Sequence, residues 1–70
     1  MPSIRELRRR KALTQEELAE ELGVSLDTVS RWETGRCEPE AYHIRRLASF
    51  FGVNTEAIVL SFSNVEQMSN

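Results

Sequence analysis

The sequence predicts an all-α chain folded as a compact five-helix bundle, and three observations carry that expectation. Short polar residues able to cap a helix stand just before apolar periodic segments at Ser3, Thr14, Ser25 and Asn54. Between the third and the last of these, Ile44, Leu47, Ala48 and Phe51 recur at the i, i+3, i+4, i+7 spacing of one helix face. No stretch alternates apolar and polar residues as a half-buried strand would.

The first helix is expected from about Ser3 to Lys11, burying Ile4 and Leu7. Thr14 opens the second, which runs to Leu22. Glu17 stands three residues after Thr14 and completes a capping box, while Leu13 and Leu18 bracket the cap as a hydrophobic staple. The third helix spans Ser25 to Thr34 with Val29 and Trp32 inward, and Val24 with Val29 repeats the staple. Trp32 follows Val29 on one face, so packing is favoured over base stacking for its ring. The fourth helix has Pro39 near its start and Gly52 just past its end. The fifth begins at Asn54, with Val53 and Ile58 as its staple, and is expected to end near Leu60, with Leu60 a candidate for the core beside Ile58.

Seventy residues allow one domain and leave little room for a deep cleft beside a core. With 40% hydrophobic and 29% charged residues the composition is that of a globular chain, excluding a disordered or membrane-embedded class. No apolar run approaches the ~20 residues of a membrane span, and MPSIRELRRRK lacks the apolar stretch of a signal peptide; a cytoplasmic location is expected. Cys37 alone cannot form an internal disulfide. The net charge of −2 argues against nucleic acid at first sight, but its distribution is lopsided. Arg5, Arg8, Arg9, Arg10 and Lys11 face only Glu6 in the first dozen residues, whereas Glu16, Glu17, Glu20, Glu21 and Asp27 follow without a basic neighbour. The glutamates read as the solvated face of a helix.

Gly23 and Val24 alone join the second and third helices, too short a link for an antiparallel hairpin, and Gly23 suits the left-handed turn such a corner needs. The stretch LTQEELAEELGVSLDTVSRWETG, carried on through Val53-Asn54-Thr55-Glu56-Ala57-Ile58, resembles the phage repressor and Cro-like helix-turn-helix family over nearly the whole chain to Leu60. Leu13-Thr14-Gln15, Leu18-Ala19, Gly23-Val24-Ser25, Trp32-Glu33 and Gly35 followed by Pro39 carry the likeness together. The resemblance implies a transcriptional regulator with repression the expected mode, binding double-stranded DNA without cofactor or metal. It also implies a homodimer on a near-palindromic operator, with half-sites about 34 Å apart. Residues 1–60 would form the DNA-binding domain, and 61–70 a tail that is either disordered or dimer-forming.

At ~100° per residue, Asp27, Arg31 and Thr34 fall within ~60° of one another, opposite Val29. The resemblance places that face in the major groove. Arg31 is the expected base reader, since its guanidinium matches the O6 and N7 acceptors of guanine. Thr28 and Ser30 flank it. By position the family implies base contacts from Leu26, suited to a thymine methyl, and Asp27, suited to a cytosine amino group. Asp27 also stands four residues before Arg31, and orienting Arg31 is favoured over base reading. Phosphates are expected at Thr14 and Gln15, where the positive end of the second helix points outward, and at Thr34, Gly35 and Arg36, which resemble the family's strand-gripping loop. Arg9 and Arg10 are weaker phosphate candidates, since a charge run at the end of the first helix is more readily what the negative end of its dipole attracts.

Arg8 flanks the apolar stripe of the first helix and Glu33 that of the third, and relatives pair such residues at the core edge; the two are expected to meet. Ala12 departs from the family pattern, which often has glycine where the chain leaves the first helix. Val59, Leu60, Phe62, Val65 and Met68 are the candidate dimer surface. Two rival classes remain. An interaction adaptor on the same fold would use the acidic second helix on a basic partner, but would have no reason to keep Gln15, Arg31 and Arg36 on one side. An enzyme or metal site would rest on Cys37 and His43 alone, two ligands where structural zinc needs four.

Overall fold

A computed structural model of the chain describes the backbone of residues 3–68 and the side chains of residues 3–62. Five helices follow one another: α1 (Ile4–Arg10), α2 (Gln15–Leu22), α3 (Leu26–Thr34), α4 (Ala41–Phe51) and α5 (Thr55–Met68). The capping residues act as their spacing predicts. The hydroxyls of Ser3, Thr14 and Ser25 accept from the N–H groups of Glu6, Glu17 and Thr28, and Asn54 Oδ1 accepts from Ala57 N at 2.9 Å. Glu17 Oε1 accepts in turn from Thr14 N at 2.8 Å, so the capping box is closed. Helix α4 is the exception, since Glu40 occupies its N-cap without a side-chain bond, and the buried Pro39 before it sets the entry.

The α2–α3 corner turns at Gly23, whose φ of 71° lies in the left-handed region, and Val24 N donates to Ala19 O at 3.0 Å to close it. Ala12 takes the same conformation, at φ 57°, where the chain leaves α1. A β-carbon is strained there, so Ala12→Gly is expected to stabilise the fold by about 0.5–1 kcal/mol in urea unfolding, with an unchanged m-value.

The core gathers one stripe from each helix: Ile4 and Leu7, Leu18, Ala19 and Leu22, Val29 and Trp32, Leu47 and Ala48, and Ile58 with Phe62. Helix α3 lies at its centre, packed against α1, α2 and α5, while α4 covers α5. Ile44 and Phe51 are only partly buried at the core's edge. Lys11 Nζ lies over the Phe50 ring at 5.1 Å from its centroid, tying the α1 exit to α4.

Helix α5 departs from expectation. It continues two turns past Leu60, and that continuation reassigns its side chains. Ile58, Ser61 and Phe62 share one face and are all buried, Phe62 at 4% exposure, so Phe62 belongs to the core and not to a dimer surface. Leu60, expected beside Ile58 in the core, is 40% exposed together with Val59, because it lies two residues on and faces away. Val65 and Met68 lie outside the described side chains.

Candidate nucleic-acid interface

One buried carboxylate organises the surface around α3. Glu33 is 5% exposed, with its side chain fully covered. Arg8 meets it with two donors, Nε to Oε2 at 2.6 Å and Nη2 to Oε1 at 3.2 Å, while Arg8 Nη1 reaches the Leu13 carbonyl at 2.7 Å. The expected Arg8–Glu33 pair is therefore present, as a fork-to-fork contact. It is joined by two residues that helical phase alone does not single out for it: Gln15 Nε2 donates to Oε1 at 2.9 Å and Arg5 Nε to the same oxygen at 3.3 Å. Burial on its own would raise the pKa of Glu33. The hydrogen bonds from Arg8 and Gln15, the Arg8 charge and the bond from Arg5 outweigh it and hold the carboxyl below its ordinary value.

Gln15, expected at the phosphate backbone, is thus half-buried with part of its amide committed inward. The first N–H groups of α2, next to the Thr14 cap, have no acceptor within their own helix. Arg5 could have been suspected from its place three residues before Arg8, one turn along the same face.

Opposite the buried Val29, Trp32 and Glu33, α3 presents Asp27, Arg31 and Thr34 to solvent, and Leu26 is exposed at its first turn. Arg31 Nε meets Asp27 Oδ2 at 2.9 Å, with both side chains mostly exposed, which is the orienting contact the spacing predicts. Thr28 and Ser30 are half-buried on its flanks, and the Thr28 hydroxyl shares a 2.9 Å bond with Ser25. At the helix exit the geometry revises one expectation. The amides of Gly35 and Arg36 donate to the carbonyls of Trp32 and Arg31, at 3.3 and 3.0 Å, and so do not grip an outside partner. The Thr34 hydroxyl donates to Ser30 O or Arg31 O. What this exit offers an anion is the exposed Arg36 side chain.

Away from this face, Arg46 ties α4 to the end of α2 through the Glu21 carbonyl at 3.0 Å. His43 packs its ring between Trp32 and Tyr42, with centroids 5.4 and 5.3 Å away, and the exposed Cys37 directs its thiol to the Glu38 carbonyl. Among the described residues no three His, Cys, Asp or Glu side chains gather as metal ligands, and no helix is long and apolar enough to cross a membrane.

The helix-turn-helix family model matches residues 4–58, from the first residue of α1 to the buried Ile58 of α5. The chain belongs to the Cro- and phage-repressor-like helix-turn-helix family. Among curated proteins, the helix-turn-helix transcriptional activator BcrR of Enterococcus faecalis is 33% identical over 96% of this chain. The cryptic phage CTXphi transcriptional repressor RstR of Vibrio cholerae is 35% identical over 91% of it. An uncharacterized helix-turn-helix transcriptional regulator of Methanocaldococcus jannaschii is 44% identical over 69% of it. This helix-turn-helix chain spans 35% of the length of BcrR, 59% of RstR and 73% of the Methanocaldococcus protein. No solved structure matches it significantly.

Proposed function

We propose that this chain is a transcriptional regulator that binds double-stranded DNA sequence-specifically, with α3 in the major groove, as a binding module and not an enzyme. The observation that carries the reading is the two-sided character of α3, whose inner side chains are buried while Asp27, Arg31 and Thr34 project together into solvent. Arg31 reads guanine through its guanidinium, Asp27 orients it, and Leu26, Thr28 and Ser30 complete the base-facing set. Thr14 and Gln15 at the start of α2, and the Arg36 guanidinium at the exit of α3, hold the phosphates; Thr34 and Gly35, whose donors close the end of α3, shape that exit without touching the strand.

A homodimer on a near-palindromic operator in the cytoplasm, acting by repression, completes the proposal. Support for self-association comes from α5, where Val59 and Leu60 are exposed and Val59 borders a small crevice with Glu38, Pro39, Ile44 and Phe62. Residues 1–60 carry the DNA contacts in this reading.

Selection of sites from a random duplex pool by the wild type and by Arg31→Ala tests it. The wild type should enrich a near-palindrome, and the variant should lose about 1–3 kcal/mol of discrimination at one base pair per half-site. Failure of the wild type to enrich any site at low salt would overturn the DNA reading and redirect the search to protein partners.

A further inference from the structure

Arg5 reaches Glu33 by one edge alone. Only its Nε makes the contact, at 3.3 Å, and the side chain is 46% exposed, so the terminal guanidinium donors are left on a half-open surface. The same Oε1 receives the Gln15 amide at 2.9 Å. A carboxylate only accepts, so Gln15 turns its NH2 group toward Glu33 and keeps one N–H uncommitted. One residue of α1 and one at the start of α2 are thereby within hydrogen-bond reach of a single buried atom. Arg8 meanwhile occupies the carboxylate through Nε and Nη2, with its own side chain only 11% exposed. Two guanidinium groups against one carboxylate leave the cluster with an excess positive charge, and Arg5 is its exposed member.

We propose that Arg5 binds a backbone phosphate of DNA, sharing it with the free amide hydrogen of Gln15, and that Glu33 is the positioning residue that holds both donors in place. The proposal rests on the DNA-binding reading above and adds a contact to it on α1. Glu33 touches no DNA; its carboxylate fixes the guanidinium and amide before the phosphate arrives, lowering the ordering cost of binding.

The test is the salt dependence of binding to a mixed-sequence duplex, measured by fluorescence anisotropy for the full chain and three variants whose helix content is first checked by circular dichroism. Each charged phosphate contact contributes about 0.9 to the slope of log affinity against log salt. Arg5→Gln should lose that increment, so that between ~50 and ~200 mM salt the wild type weakens about 3.5-fold more than the variant. Arg5→Lys, which keeps the charge, should retain the wild-type slope. Arg10→Gln is the control for general charge loss, because Arg10 is already paired with Glu6 at 3.4 Å, and its slope should stay near wild type. A wild-type slope in Arg5→Gln, or equal slopes in Arg5→Gln and Arg10→Gln, would overturn the phosphate contact while leaving the DNA reading intact. Absence of salt-dependent binding by the wild type would overturn both.

Discussion

Arg8→Ala is expected to destabilise the domain by about 3–5 kcal/mol, the range for breaking a buried ion pair from one side. The variant leaves the Glu33 carboxylate, whose side chain is fully covered, without its closest donor at 2.6 Å, and it also strips the Leu13 carbonyl of its 2.7 Å bond. The remaining contacts from Gln15 and Arg5 hold the loss toward the lower end of the range. For a domain of this size the loss corresponds to a fall in Tm of at least about 12 °C, readable by thermal circular dichroism. The same carboxylate is expected to make the wild type sensitive to acid. Because its pKa is depressed on folding, Glu33 contributes stability that is fully present above the unfolded carboxylate value of about 4.3, and that is lost as the pH falls through the lower folded value. Urea midpoints measured down a pH series should therefore fall over that acid window in the wild type. In a Glu33→Gln variant the decline should be shallower.

Trp32→Ala carries a comparable expected loss, about 3–5 kcal/mol, from a different cause. The ring is 2% exposed and packs against His43, in the part of α3 that adjoins Glu33. Removing it leaves a cavity under the helix that presents Arg31, so urea unfolding followed by far-ultraviolet circular dichroism should show the lower stability. Trp32→Phe should recover most of the loss, since the volume change is smaller. As the chain's one tryptophan, Trp32 also supplies the wild type with a fluorescence probe of unfolding.

Local chemistry explains which features were legible in the sequence. Three of the helices begin at hydroxyl caps, and α5 begins after Asn54; each side chain must accept from an N–H two or three residues on, a constraint visible within a few letters. Helix α4 lacks such a cap, and its start at Ala41 was legible only through Pro39 and the apolar spacing that follows. The Asp27–Arg31 and Arg8–Glu33 pairs were legible from helical phase, the second with the help of the family likeness. The inward commitment of Gln15 and Arg5 was not, because it depends on three helices converging on one atom. At the other end of the chain, the expected stop of α5 near Leu60 concealed the pairing of Ile58 with Phe62 on one face. No glycine or proline follows Leu60 to mark a boundary there; the helix simply runs on.

Glu33 also constrains how such a sequence can drift. An ion pair of this kind can often be exchanged for an apolar pair of similar volume at little or no loss of stability. Arg8 and Glu33, however, lie 25 positions apart; changing Glu33 first strands the Arg8 charge, and changing Arg8 first leaves the buried carboxylate with only Arg5 and Gln15. The intermediate genotype is the least stable on the route, so the two residues are expected to change together. A domain with only a few kcal/mol in reserve crosses that valley most readily if a stabilising change such as Ala12→Gly is already in place.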